Sequence, residues 1–426
     1  MIISPSKELQ QIQNLNVTAF PNLVTLTIEG MGLTGSIPTE ISKLTNLTYL
    51  ALSNNHLQEY DTSLSCFDRI AGSIPLEFSN LTQLKKLILY NNSLMGSIPS
   101  TLDRLKNLLN LNLGSNKLEE DLTYLFHVLI GGSIPLELGN LTQLEVLSLN
   151  NNSVMGSIPS SLGQLKNLCY LILDSNKLEG IPSSLSQLKN LLNLNLGSNK
   201  LEGSIPLELG NLTQVEVLSL NNNLVIGSIP PSLGSIPSTW GILKNLLNLN
   251  LGSNKLEGSM PIELGNLTQL EVLSIVNNLV TGSIPPSVGQ LKNLCYLILD
   301  SNKLEGSIPS TLGQLKNLLN LNVGSNKLDG SKPLELGNLT QLKVLSLNNN
   351  SVTGSIPPSL GQLKNLCYLI LDSNKLDYLR ESDISLSCFD QIVGSIPFLL
   401  GQLKNLLNLN LDSNKLEGSI PIINQF

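Results

Sequence analysis

The sequence is poor in the residues on which most catalysis and cofactor chemistry depend. Aromatics are 4% of its 426 residues, there is one Trp, and His occurs twice. His56 and His127 have no Cys or His neighbour at ligand spacing, so no metal site and no catalytic triad is expected. Basic residues are outnumbered 25 to 32, a net charge of −7. That balance disfavours nucleic acid, whose binding rests mainly on Lys and Arg neutralising phosphates. No apolar run approaches the roughly 18 residues needed to span a bilayer; Leu125–Ile130 is among the longest patches. The opening MIISPSKELQQIQ lacks an apolar h-region, so no signal peptide is expected. Kinase motifs of the V-A-I-K, H-R-D and D-F-G kind are missing too. The expectation is a chain without enzyme activity, cofactor, metal or small-molecule substrate.

What is abundant is Leu and Asn, and both recur. The pattern L-x-x-L-x-L-x-x-N-x-L-x-G-x-I-P repeats about every 24 residues. Its clearest copy runs through Leu294, Leu297, Leu299, Asn302, Leu304, Gly306, Ile308 and Pro309. First positions fall at 23, 47, 84, 108, 144, 168, 191, 215, 246, 270, 294, 318, 342, 366 and 406, which makes fifteen repeats. The L-x-L alternation predicts a short strand with one buried face. Leu297 and Leu299 should point inward, and Tyr296, Ile298 and Asp300 outward. The Asn should turn the chain. Gly-x-Ile-Pro should return it in an extended or PPII-like stretch, because Pro fixes φ and has no N–H. A segment such as SLGQLKNL has Leu spacing for one helical turn. No repeat can bury its own Leu row, so stability must come from stacking. The expected fold is an α/β repeat solenoid with a parallel sheet on one side and short helical or PPII segments on the other.

Three strand words cycle through the array and give a 72-residue super-repeat. CYLILDSN occurs at Cys169, Cys295 and Cys367; LNLNLGSN or a close variant at Leu109, Leu192, Leu247, Leu319 and Leu407. EVLSLNNN or a close variant occurs at Glu145, Glu216, Glu271 and Lys343. One CYLILDSN repeat is missing between 215 and 246, where seven surplus residues mark the junction. Inserts near 58–71, 119–131 and 377–393 break the pattern at the same point of three repeats. They are either loops bordering a binding face or noncoding sequence carried into the chain. Residues 1–22 form a partial N-terminal cap segment and 23–426 the repeat domain. Neither end repeat carries a convincing cap.

Gly35-Ser36-Ile37-Pro38 and Gly306-Ser307-Ile308-Pro309 resemble the plant-type leucine-rich repeat. The chain looks like part of the extracellular region of a plant leucine-rich-repeat receptor-like kinase. Its opening Asn14–Leu23 resembles the male-discoverer-interacting receptor-like kinase branch. The resemblance implies a curved superhelix with a concave parallel sheet and short convex segments. It also implies a peptide ligand or co-receptor ectodomain as partner. The location implied is the extracellular face of the plasma membrane or the cell wall. Four features of that family are missing: a signal peptide, the Cys pair that seals the N-terminal cap, a transmembrane helix and a kinase domain. The chain is therefore expected to be a fragment. The alternative is a free-standing secreted interaction or inhibitor protein. Only Arg69, Arg104 and Arg380 occur, so the Arg-x-Arg pair that some related receptors use for a peptide C-terminus is not available.

The outward columns offer the best candidate site. Tyr170/Asp174, Tyr296/Asp300 and Tyr368/Asp372 pair an exposed aromatic with a carboxylate, which supplies contact area and orientation together. The bland reading is repeat copies made by duplication. Ten sequons, at Asn16, Asn46, Asn80, Asn91, Asn140, Asn151, Asn211, Asn266, Asn338 and Asn349, are expected to carry glycans if the chain is secreted. Gly30-Met31-Gly32-Leu33-Thr34-Gly35 matches G-x-G-x-x-G, but it lies in repeat register with no long helix after it, so no phosphate site is expected. Cys169, Cys295 and Cys367 stand three repeats or more apart. Three steps of about 4.8 Å make ~14 Å, and a disulfide needs Cα atoms within about 7 Å. They are read as small buried hydrophobes, and no disulfide is assigned, Cys66 and Cys388 included.

Overall fold

The computed structural model describes residues 12, 15–57, 73–118, 132–227, 243–376 and 396–416. The insert zones, the 228–242 junction, His127, Cys66 and Cys388 lie outside the described residues. The chain divides into two compact bodies, Met1–Leu224 and Val225–Phe426.

In the first body the L-x-L words form eight three-residue strands, from Thr25–Thr27 to Val217–Ser219. They pair in parallel and in sequence order, so Leu26, Leu50, Leu87, Leu111, Leu147, Leu171, Leu194 and Leu218 make one row. In the second body seven strands, from Asn248–Asn250 to Asn408–Asn410, align Leu249, Leu273, Leu297, Leu321, Leu345, Leu369 and Leu409. Except for Leu409, every one of these Leu side chains is buried. Parallel pairing follows from the repeat, because each strand starts at the same point of a turn that always comes back the same way round.

The turn after each strand is fixed by the Asn. Asn302 Nδ2 donates to Leu299 O at 3.1 Å, Asp300 O at 3.2 Å and, in the preceding repeat, Ile275 O at 2.9 Å. Its Oδ1 accepts Val280 N–H at 3.1 Å. One side chain thus satisfies four backbone groups that the bend takes out of the strand ladder. The same set recurs from Asn55 to Asn414. The residue before each ladder Asn is left-handed, such as Ser301 at φ 57° and Asn349 at 50°. In the first repeat Gly30 takes that place at φ 65°, where a missing Cβ removes the steric cost.

The return path carries the expected helical turn, and its form is 3-10. Among the described residues the repeats carry a PPII-like proline and then a five-residue 3-10 element. Pro309 has φ −65° and ψ 131°, and Ser310–Gln314 follows. Pro309 O accepts Leu312 N–H at 3.1 Å. The i→i+3 bond suits a segment too short for an α-helix. The Gly after its buried Leu is needed because the next element lies against it: a Cβ on Gly313 would run into Glu335 backbone. A second ladder crosses this side, with Asn317 Nδ2 donating to Lys292 O at 3.0 Å and Asn365 Nδ2 to Thr340 O at 2.9 Å.

Short parallel strands also form just after the Asn turn. They pair Met155–Gly156 with Lys177–Leu178 in the first body. In the second they join Ile226–Gly227, Lys255–Ser259 and Leu279–Thr281, then Glu305–Ser307 with Lys327–Asp329, and Thr353–Gly354 with Lys375–Leu376. The sequence predicts only extended chain here. At the N-terminal end two apolar residues of the 1–22 segment are buried. Ile12 is fully buried, Val17 nearly so, and Ile12 N–H bonds Thr34 O at 3.2 Å. In the last repeat Leu409 is 42% exposed and Leu407 75%.

Candidate functional site

The outward columns of the second body hold the largest assembly of the candidate residues. Register places Tyr296, Asn320, Val344 and Tyr368 side by side on successive strands. Ile298, Asn322, Ser346 and Ile370 form the next column. At about 4.8 Å per strand the two tyrosines stand ~14 Å apart. Tyr296 is 42% exposed and Tyr368 40%, while Ile298, Ile370, Asp300 and Asp372 are half-buried. Two Tyr-Ile-Asp rows therefore bracket a neutral floor two strands wide. Tyr170, Ile172 and Asp174 form one such row in the first body, between Val146 and Asn193.

The carboxylates are partly held. Ser301 and Ser373 hydroxyls donate to Asp300 Oδ2 and Asp372 Oδ2, each at 3.3 Å. Asp372 Oδ1 is buried and, among the described residues, accepts no hydrogen bond. Asp174 is better satisfied, with Asn195 Nδ2 donating to Oδ1 at 2.9 Å and Ser175 to Oδ2 at 3.3 Å. Burial pushes the Asp300 carboxyl above its ordinary value, against the Ser301 hydroxyl and its own backbone N–H, which lower it. Asp174 is raised by the same cause.

The floor is set by contacts between repeats. Ser346 Oγ donates to Asn348 Oδ1 at 2.7 Å, and that amide lies over Gly324, where a Cβ would collide with it. Gly114 and Asn150, and Gly197 and Asn221, stand in the same relation. The LNLNLG word must therefore come before the VLSLN word, which gives the cycle of words a packing cause.

A lysine column escaped the sequence reading. Lys255, Lys303, Lys327 and Lys375 are exposed just past the Asn turn, so each Asp of the two rows has a cation three residues on. The word D-S-N-K carries that signal. The cysteines also differ from expectation. Cys169, Cys295 and Cys367 are free and half-buried rather than buried. Each lies next to an outward tyrosine, and its thiol donates to the carbonyl of Asn167, Asn293 or Asn365 at 3.4–3.5 Å. Burial, then the charge of Glu145 or Glu271, raises the thiol pKa of Cys169 and Cys295 and keeps them protonated.

The remaining candidates belong to other parts of the repeat. His56 is exposed, and its backbone bonds Leu33 O at 2.8 Å. Gly30 and Gly32 form a left-handed turn after the first strand. An open depression of about 400 Å³ on the 3-10 side is lined by Lys292, Gln314, Lys316 and Glu335. Its lysines are already engaged, Lys292 by Gln314 Oε1 at 2.7 Å and Lys316 by Asn338 O at 3.0 Å. Among the described residues no cluster of three His, Cys, Asp or Glu could hold a metal, and no helix is long and apolar enough to cross a membrane. All ten sequon asparagines are exposed.

Comparison with known proteins matches residues 238–378 to a leucine-rich-repeat region and residues 83–105, 143–165 and 190–212 to single leucine-rich repeats. Receptor-like protein 39 of Arabidopsis thaliana is 33% identical over 147 residues, which is 34% of this chain and 13% of that protein. The chain thus matches only a small part of the length of this curated relative. Among solved structures, the plant peptide hormone receptor RGFR1 in complex with RGF2 superposes with a TM-score of 0.61 at 30% identity, covering 94% of this chain and 68% of the receptor. A leucine-rich-repeat protein of Leptospira interrogans superposes at 0.67 and 31% identity, covering 96% of this chain and 95% of its own.

Proposed function

This chain belongs to the leucine-rich-repeat family, and from that premise we propose that it is a ligand-binding part of a plant receptor ectodomain. Its partner is a secreted peptide or the ectodomain of a co-receptor. The observation that carries this is the pair of Tyr-Ile-Asp rows on one sheet face, with a neutral floor between them. An extended peptide rises about 3.3 Å per residue, so four or five residues bridge the ~14 Å between the rows. Tyr296 and Tyr368 supply contact area, and Asp300 and Asp372 favour a ligand with Lys, Arg or a free amino terminus. The likeness to RGFR1, which is solved with a peptide, supports the reading. The parent would be a receptor-like kinase or receptor-like protein at the extracellular face of the plasma membrane. The Asn14–Leu23 opening supports the male-discoverer-interacting branch.

The experiment is a calorimetric titration of the chain with a panel of short synthetic peptides, each with a free or an acetylated amino terminus. Tighter binding of free, basic peptides is expected, and indifference to both features would count against the site. A second reading is a free-standing secreted interaction or inhibitor protein built of the same repeats. The full-length transcript separates the two. A hydrophobic span and kinase motifs in frame support the receptor, and a capping repeat followed by a stop supports the free protein.

A further inference from the structure

Five of the 3-10 elements begin with an exposed apolar side chain and end with an exposed asparagine. They are Leu76–Asn80, Leu136–Asn140, Leu207–Asn211, Ile262–Asn266 and Leu334–Asn338. Their first residues are 54–65% exposed. Each last residue opens an Asn-Leu-Thr sequon with its Thr also exposed. Elements that close on another residue begin differently: Thr39–Lys43, Ser100–Arg104, Ser160–Gln164, Ser183–Gln187, Pro286–Gln290, Ser310–Gln314 and Pro358–Gln362 start with Thr, Ser or Pro. Among the described five-residue elements Phe398–Gln402 is the exception. The pairing survives where the word has drifted, as LEFSN at 76–80 and IELGN at 262–266. One exposed Leu on a surface needs no explanation. Its appearance with a sequon, and its replacement by Ser, Thr or Pro without one, does.

We propose that Asn80, Asn140, Asn211, Asn266 and Asn338 carry N-linked glycans that lie over the apolar residue at the start of the same element. The proposal rests on the extracellular reading above. Its chemistry is the ordinary transfer from a lipid-pyrophosphate-linked oligosaccharide. The asparagine Nδ2 bonds to the sugar C1, the C1–O bond to the lipid pyrophosphate breaks, and one amide proton is released. The reach is short, since four steps along a 3-10 element rise about 8 Å, and a glycan is bulky and solubilising on that scale. Asn140 Nδ2 donates to Asp103 Oδ2 at 3.2 Å, which the N–H left after glycosylation can still do. The Asn-Asn-Ser sequons are placed otherwise. Asn91, Asn151 and Asn349 are left-handed turn residues. Their Nδ2 atoms reach the preceding turn, at Asn54 Oδ1 3.0 Å away and at Ser115 and Ser325 Oγ 3.4 Å away. These three lie outside the proposal.

The test uses the full chain behind a cleavable leader in a eukaryotic secretory host. Glycopeptide mass spectrometry reads occupancy. Trimming to the first sugar, followed by an apolar dye, reads what the glycans cover. A second protein carries Leu76→Ser, Leu136→Ser, Leu207→Ser, Ile262→Ser and Leu334→Ser, the residue type of the sister elements. Occupancy at the five sites is expected, with dye fluorescence rising on trimming in the native sequence and rising far less in the Ser variant. Empty sites in the secreted protein would overturn the proposal, and so would an equal dye response in both proteins. The leader supplies the secretory route, so a failure of the receptor reading would show in the peptide titration or the transcript and not here.

Discussion

At the scale of single residues, the ladder asparagines were legible because one residue type recurs at one place. Asn278 is 6% exposed and bonds Leu251 O, Ile275 O, Val276 O and Leu256 N–H at 2.9–3.2 Å. Asn278→Ala leaves these groups unpaired in a dry interior, at a cost of about 1–3 kcal/mol or more. Amide exchange at Leu256 should speed up accordingly, and unchanged protection there would refute the role. Lys332 was not legible as special, because it looks like one drifted letter of Gly-Ser-Ile-Pro. It is 4% exposed, with Nζ donating to Thr353 O and Gly354 O at 3.2 Å. The sister positions hold buried Ile284, Ile308, Ile356 and Met260. A buried ammonium forfeits hydration, so Lys332→Ile should stabilise by on the order of 1 kcal/mol or more. A lower thermal midpoint for that variant would contradict this. Asp300 adds a pH signature. Its folded-state pKa is raised, so the folded state holds the proton more tightly, and stability falls as pH rises from the ordinary carboxylate value through the raised one. Asp300→Asn should therefore be the more stable form at neutral pH, with the gap closing under acid. A gap that widens on acidification would reverse the sign.

At the scale of elements, strand positions and outward columns followed from the period-two alternation alone. The 3-10 form did not, because Leu spacing over five residues fits either helix, and a segment this short closes with i→i+3 bonds. The second set of strands was hidden for another reason. Lys-Leu-Glu-Gly pairs only because the Asn turn delivers it at the neighbour's spacing, a property of the stack and not of the word. The Gly324–Asn348 fit is of the same kind. Position in the stack also sets local stability. Among the described residues Asn408–Asn410 has a strand partner on one side only, and its Leu409 is 42% exposed. Local opening should be easiest there. Amides of 408–411 should exchange faster than those of 320–323, and equal protection would show that the last row is covered.

At the scale of the whole molecule, the sequence exposes the repeat architecture almost completely, since fifteen copies of one pattern average out local ambiguity. The site is less legible. Alternation says which side chains face outward, but only the register shows that Tyr296, Asp300, Tyr368 and Asp372 frame one floor, with Tyr170 and Asp174 in the other body. In the function proposed above, this frame in Val225–Phe426 takes the ligand. A buried aromatic anchor in an interface is worth about 2 kcal/mol or more on truncation, and exposed charge contacts weaken with salt. The most direct test takes the tightest basic peptide from the panel and titrates it against native, Tyr296→Ala and Asp372→Asn chains at low and high salt. The expected result is a loss of about thirtyfold for Tyr296→Ala, which is 2 kcal/mol, together with a salt dependence that Asp372→Asn reduces. Unchanged affinity in both variants, with the fold intact, would contradict the account and move the site to another face.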